Sequence, residues 1–206
     1  MAERESSSPE SPIPEPMSEE QIRAVHVGEL KPLDQPVRIA DYDPAWPRWF
    51  AREAARIRAG LGDQALSIEH VGSTAVPGLA AKPKIDILLV VRDSSAEADY
   101  VPALDAAGYI LQVREPDWFE HRMFKGPDTD VNVHVFSQGC AEIERMLLFR
   151  DWLRSHPEDR QLYEQAKREL AGRSWKYMQN YADAKSAVVA EIMARAQRSA
   201  GLSPAP

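Results

Sequence analysis

A chain of 206 residues with 44% hydrophobic and 28% charged side chains has the composition of one ordinary globular domain with some flexible sequence. Its longest apolar run, residues 85–91, carries a carboxylate and falls far short of the roughly 20 residues that cross a bilayer, which excludes a membrane span. The net charge of −7 is concentrated at the start, where residues 1–20 hold six acids against one base; the remaining 24 bases and 26 acids are too evenly balanced for a surface that coats nucleic acid. No charged segment followed by an apolar one opens the chain and Cys140 is the only cysteine, so the expected address is the cytoplasm, without a disulfide framework.

In chain order, residues 1–20 are rich in Pro, Ser and Glu and are expected to be a disordered tail. Residues 21–36, interrupted by Pro32 and Pro36, read as a strap, with a short helix over 19–25. Residues 37–198 are expected to form a single domain, with 199–206 frayed. Within it, 37–40 reads as a short edge strand, and Asp43 as the N-cap of a helix with Pro44 in its first position that runs to about residue 60. Trp46, Trp49, Phe50, Ala54, Ile57 and Leu61 recur at helical spacing and mark its core face. A strand over 66–71, a Gly/Pro-punctuated loop with one helical turn over 72–79, and a strand over 84–91 follow. Next come a helix over 96–107 closing on Gly108, a strand over 109–113, and a hairpin of strands 118–124 and 131–136. Three helices, 142–156, 158–172 and the longest, 175–197, end the chain. The order predicts an α/β fold of the α+β type: a small mixed sheet flanked by helices, with a C-terminal three-helix cap.

The chemistry concentrates around two of these strands. After 66–71, Gly72 lets the backbone turn sharply, so that N–H groups and the Ser73 and Thr74 hydroxyls can hold phosphate oxygens. In 84–91, strand alternation places Ile85, Ile87, Leu89 and Val91 on one face and Lys84, Asp86, Leu88 and Val90 on the other. Asp86 is then a carboxylate among apolar residues and needs a partner. A divalent cation would serve, and so would a salt bridge to Lys84, Arg122 or another base.

Glu69 and His70 precede the turn, and Asn132 and His134 share one face of 131–136. His134 is either a ligand beside Asp86 or part of a hydrogen-bonded polar network; Asp with one or two His would favour Mn²⁺ or Zn²⁺ over Mg²⁺. Lys82, Lys84, Arg122 and Lys125 are bases that can hold a polyphosphate, although Arg122 shares strand parity with Glu120 and Phe124 and reads equally as a solvated face charge. Arg150 follows Leu147, Leu148 and Phe149 and is expected to point toward the acidic centre. Tyr163 with Lys167, and Tyr181 with Lys185, each share a helix face, lining a cleft or simply covering apolar surface with lysine stems. Neither G-x-S-x-G, nor G-x-G-x-x-G, nor a Walker A lysine motif is present, which disfavours hydrolase, Rossmann and P-loop readings.

Gly72-Ser73 followed twelve residues later by Asp86 resembles the signature of the nucleotidyltransferase fold of DNA polymerase beta and its relatives. More closely, the stretches YDPAWPRWF, IEHVGSTAVPGLAAKPKIDILLVV, VNVHVF, FRDWLRSHP, YEQAKRELA and YADAKSAV resemble the GrpB family across residues 37–195. The nucleotidyltransferase resemblance implies catalytic roles for Ser73 and Asp86, and a nucleotide or other phosphorylated small molecule as ligand. Phosphate would be held by Gly72, Ser73, Thr74, Lys82, Lys84, Arg122 and Arg150. A divalent cation, Mg²⁺ or Mn²⁺, would sit on Asp86 and assist nucleotidyl transfer. The second carboxylate of the Asp-x-Asp pair falls on Leu88 and the later strand has no central carboxylate, so His134, Glu69 and His70 are the replacement ligands to consider. The GrpB resemblance also implies an alternative: a catalytically degenerate ligand-binding module, or an accessory folding or assembly module of the kind fused to dephospho-coenzyme A kinase, with a protein partner. Leu88 favours this alternative; Gly72-Ser73 and Asp86 favour the enzyme.

Overall fold

The apolar run that strand alternation divides into two faces lies inside a five-stranded sheet. The computed structural model describes residues 15–201. In chain order these form α1 (Glu19–Val25), α2 (Trp46–Leu61), β1 (Ser67–Val71), β2 (Ile85–Val91), α3 (Glu97–Ala106), β3 (Ile110–Glu115), β4 (His121–Lys125), β5 (Val131–Ser137), α4 (Ala141–Ser155), α5 (Pro157–Ala171), α6 (Met178–Asp183) and α7 (Ser186–Ser199). The sheet order is β1-β2-β5-β4-β3. β2 and β5 run parallel, and all other pairs are antiparallel, so the sheet is mixed.

The two sets of alternating side chains on β2 meet different helices. Ile85, Ile87, Leu89 and Val91 join Val131, Val133, Val135 and Phe124 beneath α2 and α3, where Trp46, Ile57, Leu61, Tyr100 and Leu104 complete the core. Leu88 and Val90 face the other way and pack with Val71 and Phe136 under Ile143, Met146 and Leu147 of α4. Burying each such side chain contributes about 1.5–3 kcal/mol, so a strand covered on both sides fixes its register firmly. A further cluster, with Leu79, Leu153, Tyr163 and Ile192, holds α4, α5 and α7 together beside the sheet.

Several boundaries differ from the sequence reading, each for a local reason. Residues 37–40 form no strand; Ala40 alone bridges Ala81. Asp43 accepts a hydrogen bond from the Ala45 amide at 2.7 Å, a side-chain turn ahead of α2, and the proline in the first turn of that helix is Pro47. The strand expected from residue 118 starts only at His121, because Phe119 and Glu120 take left-handed backbone angles of φ 55° and 51°. The helix expected over 175–197 is in two pieces, α6 and α7, where the Lys185 amide bonds the Ala182 carbonyl and tightens the turn. Residues 1–14 of the expected tail and 202–206 of the expected frayed end lie outside the described residues, while α1 begins at Glu19, capped by Ser18. No helix among the described residues is long and apolar enough to cross a membrane.

Glu53 on α2 is a buried carboxylate that the helical pattern did not mark. It accepts from the Tyr109 hydroxyl at 2.8 Å and the Thr129 hydroxyl at 3.0 Å, and pairs with Arg56 at 3.2 Å, tying α2 to the approach of β3 and to the β4–β5 turn. Replacing Glu53 by Ala removes the carboxylate partner of the buried Tyr109 hydroxyl and unties the β4–β5 turn, and a loss of about 2 kcal/mol is expected in urea unfolding.

Candidate functional site

The turn after β1 is set by one close approach. Gly72 has φ +71°, and a Cβ built there would lie 2.6 Å from Asp86 Oδ2, so only glycine admits this path. The chain then forms a short 3₁₀ turn, Ser73–Ala75. Thr74 Oγ1 donates to the Lys84 carbonyl at 3.3 Å and lies 3.0 Å from His70 Nε2. With the hydroxyl hydrogen so committed, His70 is the donor in that contact. Its ring stacks on Phe50, and burial pushes its pKa down to about 4, which keeps the imidazole neutral. Arg154 on α4 holds the Ala75 carbonyl through two contacts of 3.0 and 2.9 Å, fixing the turn from outside.

Asp86 is answered by its neighbour on the parallel strand. The register places Asn132 beside it, and Asn132 Nδ2 donates to Asp86 Oδ1 at 2.8 Å, while Lys125 Nζ donates to Asn132 Oδ1 at 2.7 Å. His134 Nε2 lies 3.7 Å from Asp86 Oδ1, and the other ring nitrogen of His134 is 3.1 Å from His121 Nε2. His121 in turn contacts Glu115 at 2.6 Å, so a polar row crosses the sheet from β3 to β2. Burial works to raise the Asp86 carboxyl, and His134, Lys82 and Asn132 outweigh it and hold the group near 2.

Next to Asp86 opens a cavity of about 270 Å³, toward the small end of ligand sites. Gly72, Ser73 and Thr74 form one wall, Lys82, Lys84 and Asp86 the floor, and α4 contributes Glu142, Arg145, Met146 and Phe149. The opposite wall is Tyr163 and Lys167 of α5, Tyr181 of α6, and Lys185 and Val189 at the start of α7. Both tyrosine–lysine pairs are therefore brought to the cleft. Lys82 and Lys185 each place Nζ 5.0 Å from the centre of the Tyr181 ring, and Lys167 lies 4.8 Å from that of Tyr163.

The charges in this cavity do not cancel. Arg145 is taken up by Glu142, with contacts of 2.6 and 2.7 Å, and Lys84 by Asp130. Lys82, Lys167 and Lys185 form no ion pair among the described residues; Lys167, only 2% exposed, donates to the Ala80 carbonyl. Burial, reinforced by Lys185, pushes Lys82 down to about 8 and Lys167 to about 7. The buried Tyr181 hydroxyl beside them has no hydrogen-bond partner.

The structure does not bring every expected residue here. The β4–β5 register sets Arg122 opposite Val135, on the face of α3, where it is 5% exposed and bonds Glu97 at 2.6 Å and Glu120 at 3.2 Å. It lies on the opposite face from Asp86 and is not a solvated charge either. Arg150 does not line the cavity; it bridges α4 to β1 by bonding Glu69 at 2.9 Å and the His70 carbonyl at 3.1 Å, and it also pairs with Asp151. Glu69 is thereby engaged, and as strand neighbours Glu69 and His70 leave β1 on opposite faces. Glu142 and Arg145 were missed by sequence reading, which had no signal to separate them from other charges on an amphipathic helix.

The donor set also tests the expected divalent cation. Leu88, at the second carboxylate position, is fully buried under α4, and Asn132 turns its amide nitrogen toward Asp86 while its oxygen accepts from Lys125. Among the described residues no group of three His, Cys, Asp or Glu side chains could hold a metal ion. The residues present do not fit a two-cation centre, which needs several shared oxygen ligands.

Fold and cleft together define the class: a mixed α/β sheet roofed by helices, with a lysine-rich cavity at the end of its parallel strand pair. The chain belongs to the GrpB family, whose model, described as GrpB protein, matches residues 36–195. It is 60% identical over 181 residues to a UPF0157 protein of Halalkalibacterium halodurans, covering 88% of this chain and 93% of that one. A crystal structure of the conserved protein GrpB from Enterococcus faecalis superposes with a TM-score of 0.68 at 29% identity, covering 80% of this chain and 99% of that chain. A dephospho-CoA kinase of Mycolicibacterium paratuberculosis is 33% identical over 165 residues, which cover 68% of this chain and 40% of the kinase.

The turn provides a direct check. Gly72→Ala adds a Cβ against Asp86 and a left-handed strain, and is expected to lower stability by about 1–3 kcal/mol in urea unfolding.

Proposed function

We propose that this chain binds a phosphorylated small molecule, nucleotides included, in the cavity between the Gly72-Ser73-Thr74 turn and the C-terminal helices. The observation that carries this reading is the set of three lysines, Lys82, Lys167 and Lys185, gathered around two tyrosines without a carboxylate partner. Ammonium groups taken out of water and crowded together destabilise the free protein, and an anion is the ligand that relieves them. The Ser73 hydroxyl on the turn side of the cavity adds a neutral donor suited to phosphate oxygens, while the Thr74 hydroxyl is spent on the Lys84 carbonyl. The likeness to part of a dephospho-CoA kinase adds dephospho-coenzyme A to the ligands worth trying. Nucleotidyl transfer through two cations is not part of this reading, because Asp86 stands on the cavity floor without the further carboxylates that it needs.

Thermal unfolding against ATP, GTP, CTP, UTP, coenzyme A and dephospho-coenzyme A, with adenosine as the uncharged control, tests the reading. A ligand at a hundredfold excess over Kd adds about 2.7 kcal/mol. Stabilisation by a phosphorylated compound and none by adenosine is expected; no shift with any of them would defeat the proposal.

Acidity gives a second check. Lys82 and Lys167 face Lys84, Asp86 and Asp130 from the sheet side, Glu164 and Arg168 on α5, and Lys185 beyond α6. An anion favours their protonated forms, so binding takes up protons, and affinity falls as pH rises from 7 to 9, through the lowered values of about 7 and about 8. Calorimetry in buffers of different ionisation enthalpy reads that proton uptake directly.

A further inference from the structure

We propose that the phosphates of the ligand are neutralised by Lys82, Lys167 and Lys185 and not by a divalent cation bridging to Asp86, so that the chain binds its ligand as the free polyanion. This rests on the preceding reading of the cavity as a phosphate site and specifies how the charge is balanced there.

One Asp86 oxygen is already engaged, and the other is crowded by the backbone of the turn. Oδ1 accepts from Asn132 and faces His134, and Oδ2 lies so close to Gly72 that a single added carbon would sit 2.6 Å away. The amide oxygen of Asn132, the next oxygen along the strand pair, is occupied by the Lys125 ammonium at 2.7 Å. A dication arriving at Asp86 would therefore find one carboxylate, the other carboxylate of the cavity, Glu142, already paired with Arg145, and the positive charges of Lys82, Lys84 and Lys125 around it. Mg²⁺ in particular binds through oxygen ligands in a near-octahedral shell and is poorly served by such a set.

The cavity lysines unpaired among the described residues have the complementary property. Lys82, Lys167 and Lys185 come from the approach to β2, from α5 and from the start of α7, three separate segments that the fold brings to two tyrosine rings. Lining the same cavity, their ammonium groups supply positive charge from the protein itself. On this account Asp86 shapes the turn and repels ligand phosphate modestly, in contrast to a metal-bridging aspartate, which would attract it through the ion.

The experiment is calorimetric titration of the full chain with ATP at neutral pH, once in excess EDTA and once in excess Mg²⁺. Binding is expected in EDTA, and it should weaken several-fold with Mg²⁺, because the magnesium complex of ATP carries two fewer negative charges. Lys82→Met and Lys185→Met should each lower the affinity in EDTA about tenfold, the worth of one charged contact. Asp86→Asn keeps an oxygen to accept from Asn132 and removes a negative charge, so affinity in EDTA should rise several-fold. Binding that requires Mg²⁺, or an Asp86→Asn variant that binds ATP more weakly, would overturn the inference while leaving the phosphate site standing. Absence of ATP binding under both conditions, together with no stabilisation by any other phosphorylated compound, would remove both.

Discussion

A strand buried on both faces has to account for every polar atom it carries, and β2 carries one carboxylate. The parallel partner β5 meets that demand, because the register that stacks Ile87 beside Val133 also sets Asn132 beside Asp86. Much else follows from this pairing. The turn after β1 must clear the carboxylate, which calls for glycine at position 72. Leu88, two residues on, lies beneath α4 and belongs to the apolar layer, not to the cleft. The boundary between packing surface and open cavity thus runs between Asp86 and Leu88 on a single strand.

Across that boundary the C-terminal helices present a different kind of surface. Lys167 is nearly as buried as the leucines around it, yet its amino group meets only a backbone carbonyl and an aromatic face. Cation–π contacts are worth about 0.5–2 kcal/mol, less than the cost of taking an ammonium out of water, so this arrangement leaves the free protein short of its best stability. Such a deficit is common where a binding surface is kept ready for a ligand of opposite charge.

How far this was legible in the sequence depended on the range of the interaction that decided each point. The alternation in residues 85–91 sorted the two faces of β2 correctly because period two is local, and the Gly-Ser turn and the tyrosine–lysine pairs were visible for the same reason. Arg122 shows the limit. Its parity with Phe124 already linked it to a buried side chain, but which face of the sheet holds Asp86 is settled by the β4–β5 register, a pairing of residues across a turn that no spacing along one strand reveals. Arg150 was expected to look toward Asp86 and instead holds β1 through the Glu69 carboxylate and the His70 carbonyl, since α4 crosses the sheet over Leu88. Glu53 was hidden because its partners, Tyr109 and Thr129, come from distant parts of the chain.

Residues 17–33, ahead of the region matched by the family model, bond both the C-terminal helices and the sheet. Glu19 bonds Lys176 and Tyr177, the Met17 amide bonds Asp183, and the Leu33 amide bonds the Lys176 carbonyl, so this segment grips the helix that carries Tyr181. Further along, His26 bridges Val113 and the Val27 amide bonds the Gln112 carbonyl on β3. β3 is the last strand of the sheet, and its outward amides and carbonyls would otherwise offer a template on which another chain could add a strand. The same stretch that steadies one wall of the cavity thereby covers the middle of that edge, and trimming the protein to the matched region would keep every lining residue while baring Gln112 and Val113 to another strand.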